Sequence, residues 1–168
     1  TIVEPESGML ACRDIGKGRM EEPAGIEAAV ADLLHGDLPD NSLPLKGRNV
    51  LVTAGPTQEP LDPVRYLTNH STGKMGYAIA ERARDMGAKV TLVSGPVSLQ
   101  APHGVDVVNV RSAREMFRAV QDAFANADIT IMAAAVGDFR PAERSAEKIK
   151  KNGRERITLE LVSNPDIL

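Results

Sequence analysis

Four apolar runs separated by helix-patterned stretches constrain this chain more than any other feature. Asn49 to Gly55 (NVLVTAG), Lys89 to Pro96 (KVTLVSGP), Val105 to Val110 (VDVVNV) and Asp128 to Val136 (DITIMAAAV) are short and rich in valine and isoleucine. Strands buried on both faces read as continuous apolar runs of this kind, and such strands belong to parallel sheets. Between the first two, Gly73 to Met86 carries Met75, Ala78, Ile79, Ala83 and Met86 at helical spacing and stops at Gly87. Ser112 and Glu115 make a capping-box signature for a second helix, with Met116, Ala119, Val120, Ala123 and Phe124 facing inward. The alternation predicts an α/β fold: a doubly wound, Rossmann-like, mostly parallel sheet with helices on both faces and ligands beyond the carboxyl ends of the strands. A late strand is expected over Ile157 to Val162.

The first part of the chain is different. Thr1 to Met20 mixes Gly8, Gly16 and Gly18 with basic residues and shows no periodicity, which reads as an extended or flexible segment. Ile26, Ala29, Val30, Leu33 and Leu34 then predict a short amphipathic helix ending at Gly36, and residues 37–47 have linker composition. Two parts are therefore expected, 1–45 and 46–168. Thr1 in place of methionine suggests a fragment or a processed product.

Composition narrows the function classes. At 168 residues and 42% hydrophobic content the chain can bury a core, while a net charge of -3, 3% aromatics and no tryptophan argue against a nucleic-acid surface. No apolar run is long enough to cross a bilayer and no secretory signal pattern is present, so a cytoplasmic location is expected. The single cysteine, Cys12, excludes an internal disulfide and a multi-cysteine zinc site, leaving oxygen ligands for any metal.

Four stretches are candidates for chemistry. The loop from Val52 to Gly76 (VTAGPTQEPLDPVRYLTNHSTGKMG) joins a strand end to a helix start, where phosphates bind. It fails as a P-loop, because Thr68 and Met75 stand where that motif needs a glycine and a serine or threonine. It also fails as a dinucleotide fingerprint, because the second strand runs into Ser94 and Gly95 without an acidic ribose ligand. Ser71, Thr72 and Gly73 suit either a helix cap or a phosphate site, Lys74 could serve either, and Asn69 is either a turn residue or a functional one. The second candidate, AAAVGDFRP from Ala133 to Pro141, delivers Asp138 and Arg140 to the ligand edge, where an aspartate could take a metal or a sugar hydroxyl. EKIKK carries Lys148, Lys150 and Lys151, either a cationic flap over phosphates or a solvated charge run. Cys12 is either an inert thiol or a reactive one on a glycine-rich loop.

Taken together, TAGPTQEPLDPVRYLTNHSTGKMG, AAAVGDFRP, EKIKK and NPDI, in that order, resemble the ligase half of the bifunctional phosphopantothenoylcysteine decarboxylase/phosphopantothenate–cysteine ligases of coenzyme A biosynthesis. LACRDIGKGRMEEP resembles the tail of the flavin-dependent decarboxylase half. The resemblance implies joining of phosphopantothenate and L-cysteine through an acyl-cytidylate made from CTP with Mg²⁺, and confines FMN to the decarboxylase half. It implies that Asn69 holds the acyl-cytidylate and that Lys148 stabilises charge. Met132, Ala133, Ala134, Asp138, Lys148, Asn164, Pro165, Asp166 and Ile167 would bind CTP, with Gly55, Ser71 and Gly73 at the phosphate edge and Asp138 as a metal ligand. Cys12 would correspond to the decarboxylase's proton donor, although Arg13 stands where the family usually has glycine. A homodimer, and a larger homo-oligomer for the full-length protein, would follow. The competing readings are a nicotinamide-dependent reductase and a noncatalytic assembly module.

Overall fold

The computed structural model describes residues 6–9, 15–19, 23–27, 30, 43–153 and 155–167. The chain forms two compact units, Thr1–Ser42 and Leu43–Leu168. In the first, β1 (Glu6–Met9) pairs antiparallel with β2 (Ile15–Arg19), placing Gly8 opposite Gly16. Glycines carry no side chain to show alternation, so the hairpin is invisible to a periodicity reading. Residues 23–27 form α1 and residue 30 is again helical. Cys12, Ala29, Leu33 and Leu34 lie outside the described residues.

The second unit is built on β3 (Asn49–Ala54), flanked by β6 (Lys89–Ser94) and β8 (Ile129–Met132), with β7 (Asp106–Asn109) beyond β6. The sheet order is β7-β6-β3-β8 and every pairing is parallel. Along β3 the side chains divide by parity. Val50, Val52 and Ala54 join Val90 and Leu92 in one cluster with Tyr77, Ala80 and Ala83 of α2 (Lys74–Asp85). Leu51 joins Val93 in a second cluster with Met116 and Val120 of α3 (Ala113–Phe124). Helices therefore cover both faces, which is why β3 shows no polar alternation. Each buried valine or leucine stabilises the unit by about 1.5–3 kcal/mol relative to an exposed one.

The α3 capping box forms: Ser112 Oγ accepts from Glu115 N–H at 3.3 Å, and Glu115 Oε2 accepts from Ser112 N–H at 3.4 Å. Asp128, at the entry to β8, accepts from Asn49 N–H at 2.8 Å and from Arg48 at 3.3 Å. The Asn49 amide first, and Arg48 second, hold its carboxyl below the usual range despite partial desolvation. These contacts tie the starts of β3 and β8 together.

Several expectations need correction. On α2 the buried residues are Gly76, Tyr77, Ala80 and Ala83, whereas Met75 is 67% exposed. The face is set by Gly76, where a Cβ would stand 2.5 Å from Ala54 Cβ, so the helix closes on β3 at its glycine rather than at its larger side chains. Phe124 is 61% exposed at the end of α3 rather than inward. The long connection after β3 is not irregular throughout: β4 (Gln58–Pro60) and β5 (Tyr66–Thr68) form an antiparallel pair inside it. The late strand is shorter than Ile157 to Val162, with β10 (Leu161–Ser163) pairing antiparallel with β9 (Phe139–Pro141).

Candidate functional site

From β3 the chain moves outward through β6 to β7, then returns across to β8 on the other side of β3. The carboxyl ends of β3 and β8 thus flank a topological switch point, the crevice in which open α/β sheets take ligands. A cavity of about 540 Å³ lies there, lined by Thr53 of β3, by Met132, Ala134 and Val136 at the end of β8, and by Asp138. Asn164, Pro165, Asp166 and Ile167 close its far side. Its volume falls in the range of small-ligand sites, roughly 300–1,000 Å³.

Two buried threonines shape this edge. Thr53, fully buried, accepts through Oγ1 from the N–H groups of Ala133 at 3.0 Å and Ala134 at 3.1 Å. Thr57, also fully buried, accepts through Oγ1 from Gly137 N–H at 2.9 Å. Ala135 N–H donates to Gly55 O at 2.8 Å, so the chain from 133 to 137 is sewn to the connection after β3. The amides of Ala133 and Ala134 are therefore committed within the protein. Sequence reasoning missed both hydroxyls, because a threonine in a strand reads as an ordinary β former; the only available signal was a polar residue at the end of an otherwise apolar run.

Asn69 supplies the next stitch. Its Nδ2 donates to Val136 O at 2.9 Å and to Ala135 O at 3.4 Å, while the side chain stays on the exposed edge. Asn164 works from the opposite side, donating through Nδ2 to Gly137 O at 2.7 Å and through its backbone N–H to Asp138 O at 2.7 Å. Arg140 Nη1 holds Asn164 in turn, donating to its Oδ1 at 3.2 Å and to Ser163 O. Asp138 lines the cavity with an exposed side chain. Among the described residues no group of three or more His, Cys, Asp or Glu side chains could hold a metal.

Ser71, Gly73 and Ala133 fall on a neighbouring cavity of about 520 Å³, together with His70 and Lys74. Gly73 is the N-cap of α2 in a left-handed conformation (φ 74°) and no side chain caps the first turn. Ser71 Oγ instead accepts from Gly73 N–H at 3.3 Å. The serine-or-threonine cap suggested by the sequence is absent, and the first-turn amides lack the intrahelical acceptors that later turns have. Gly55 (φ 75°) and Gly73 both face Val97, whose Cγ1 lies 2.8 and 2.7 Å from where their Cβ atoms would stand. Their role is packing against that valine, and Gly55 lines neither cavity.

Lys148 is exposed and also lines neither cavity. Its segment is anchored elsewhere: Ile149 N–H donates to Asp62 Oδ2 at 3.1 Å, and Arg65 Nη2 donates to Ile149 O at 2.6 Å. Asp62, whose side chain is inaccessible, also accepts from Arg65 Nη2 at 2.5 Å and from Val64 and Arg65 N–H at 2.8 Å each. The Arg65 guanidinium foremost, followed by these amides, outweighs desolvation and holds the Asp62 carboxyl far below the usual carboxylate range. Glu59, buried in β4, accepts from Ala113 N–H at 2.9 Å and so fastens the hairpin to the start of α3. Among the described residues no helix is long and apolar enough to cross a membrane.

Residues 45–168 match the family described as the DNA/pantothenate metabolism flavoprotein C-terminal domain. The coenzyme A biosynthesis bifunctional protein CoaBC of Escherichia coli is 51% identical over 167 residues, and that of Haemophilus influenzae 48% identical over 167 residues. Each alignment covers 98–99% of this chain and 40% of the relative, so the chain spans about two fifths of the length of these proteins. A crystal structure of the C-terminal domain of a CoaBC protein, 45% identical, superposes with a TM-score of 0.65, covering 76% of this chain and 58% of that one. A Cab2 mutant in complex with phosphopantothenate-cysteine shares the fold at 20% identity and a TM-score of 0.58, with 87% of this chain and 66% of that one covered.

These matches correct the functional expectation drawn from the sequence. The matched region is described as part of a flavoprotein and the relatives as a bifunctional coenzyme A biosynthesis protein, and neither description assigns a ligase to residues 45–168. The reading of this chain as a CTP-dependent phosphopantothenate–cysteine ligase therefore does not stand as its function.

Proposed function

Because this chain belongs to the family of DNA/pantothenate metabolism flavoprotein C-terminal domains, we propose that it is a small-molecule-binding α/β domain of a coenzyme A biosynthesis enzyme. Its ligand site is the cavity at the carboxyl ends of β3 and β8, and the ligand to test there is CTP. The observation that carries this reading is the position of a 540 Å³ cavity at the sheet's switch point, with small Ala134 and polar Asp138 and Asn164 on its walls.

The residues fit a nucleotide in this way. Ala134 leaves space for a planar base beside the strand end. With the Ala133 and Ala134 amides held by Thr53, recognition falls to the side chains of Asp138 and Asn164. A Mg²⁺ ion usually takes one or two protein carboxylates and completes its shell with phosphate oxygens and water, so Asp138 alone fits it only alongside a nucleotide. Magnesium would neutralise phosphate charge there. The phosphate of a pantothenate-derived substrate suits the cavity at the start of α2, where Lys74 and uncapped first-turn amides provide positive potential. Asn69 keeps the 135–136 peptides in register between the two cavities. Lys148 is proposed to contribute charge only when a ligand is bound, since its own segment is fastened at Asp62.

The flavin named in the family description finds no cradle at the glycines of this edge, because Val97 fills the space that Gly55 and Gly73 leave. Self-association is proposed through the exposed apolar side chains of Phe139 on β9 and Leu161 on β10.

The test is calorimetric titration of the chain with CTP and Mg²⁺. Asp138→Ala and Asn164→Ala are each expected to weaken binding by about tenfold, as loss of a polar contact of about 1.4 kcal/mol implies. Unchanged affinity in both variants would remove the cavity from the site.

A further inference from the structure

A third cavity, also of about 520 Å³, adjoins the one at the switch point: Ser163, Asn164 and Pro165 border both, but the other walls differ. Arg114, Phe117, Arg118 and Gln121 of α3 and Arg140 of β9 line it. No acidic side chain lines it. Arg114 and Arg118 stand one helical turn apart, an arrangement of like charges that weakens a helix. Neither has a hydrogen-bond or ion-pair partner among the described residues. Glu115, the nearest carboxylate in sequence, is committed to the Arg111 and Ser112 amides at 2.7 and 3.4 Å. Arg140 uses Nη1 on Ser163 O and Asn164 Oδ1, which fixes the guanidinium at the shared wall.

We infer that this arginine-lined groove is an anion site that accepts the diphosphate group of a phosphorylated small molecule, separate from the cavity at the switch point. Guanidinium groups match phosphate oxygens with paired N–H donors, and a diphosphate offers enough oxygens to engage two arginines on α3 and one on β9 at once. The groove also has a route to the first cavity. An anion drawn to Arg140 pulls on the residue that holds Asn164 Oδ1, and Asn164 Nδ2 holds Gly137 O on the other side of the wall. Occupancy of the groove is thereby linked to the placement of Asn164 and Asp138.

The experiment is a titration of the isotopically labelled chain with inorganic pyrophosphate alone, followed by amide chemical shifts. Shifts are expected at Arg114 to Gln121 and at Ser163 to Asn164. The double variant Arg114→Gln/Arg118→Gln keeps good helix formers on an exposed face, and it is expected to lose at least about tenfold in affinity while retaining its helical spectrum. A control, Lys150→Gln/Lys151→Gln, removes the same charge elsewhere and is expected to leave the affinity within about twofold, because distant exposed charges are screened. Shifts confined to His70–Gly76, or an equal loss in the control, would overturn the assignment. Because the probe is pyrophosphate, this result is independent of whether CTP occupies the switch-point cavity.

Discussion

Thr53→Val is the most informative single substitution in the domain, because it keeps the shape of a fully buried side chain and removes only its hydroxyl. That oxygen accepts from Ala133 and Ala134 N–H at 3.0 and 3.1 Å. Two accepted hydrogen bonds at about 0.5–1.5 kcal/mol each are lost, while the added methyl returns about 0.8 kcal/mol of apolar burial, leaving a net cost of up to about 2 kcal/mol. For a unit of this size each kcal/mol lowers the melting temperature by about 4 °C, so a fall of up to about 8 °C is expected. Ligand binding adds a second readout, since the freed peptides border the cavity. Thr53→Ser tells the causes apart: it loses a buried methyl and some stability, but it keeps the acceptor and is expected to keep nucleotide affinity. Thermal unfolding by circular dichroism, with CTP titrations of all three proteins, measures both effects. If Thr53→Val melts with the wild type and binds CTP normally, the threonine does not organise this edge and the reasoning fails.

Other perturbations probe the surrounding frame. Gly95→Ala places a Cβ 1.8 Å from Pro56 O, a backbone clash that no rotamer relieves, and is expected to abolish a cooperative unfolding transition. Glu59→Ala leaves the Ala113 amide without its acceptor and is expected to cost about 1–3 kcal/mol in urea denaturation, with the β4–β5 hairpin loosened from α3. Asp62 carries a pH signature. Its folded carboxyl titrates below the unfolded value of about 3.9, so its contribution is fully present above that pH and is lost as pH falls through the lower folded value. Hydrogen exchange at Val64 and Arg65 is expected to stay slow down to about pH 4, the ordinary carboxylate range, and to be fast at neutral pH in Asp62→Asn.

The central strands β3 and β6 were legible because each is a run of apolar, largely β-branched residues buried on both faces, whereas the edge strands β7 and β8 keep Val108 and Ile129 exposed and were legible only as apolar runs at the right spacing. The capping box at Ser112 and Glu115 was legible because both partners lie within one turn. What escaped notice depends on contacts distant in sequence. Tyr77 rather than Met75 faces the core because Gly76 meets Ala54, a fact of the β3–α2 approach that hydropathy does not encode. The pairs β4–β5 and β9–β10 contain three residues per strand, too few to show a period. Asp138 and Asn164 to Ile167 were named from the sequence, and they share a cavity with Met132 and Ala134. Ser71, Gly73 and Ala133 lie on the adjoining one, and Lys148 lines neither. Thr53 and Thr57, which hold the edge between 133 and 137, left no signal beyond a hydroxyl in an apolar context.

The central claim is that the crevice between the carboxyl ends of β3 and β8 is where this domain takes its ligand. A crystal structure of the chain grown with CTP and Mg²⁺ tests it directly. The expected result is a nucleotide whose base lies against Ala134 and Val136, with Asp138 and Asn164 in hydrogen-bond contact. Density for CTP elsewhere on the domain, with the β3–β8 crevice holding only water, would contradict it.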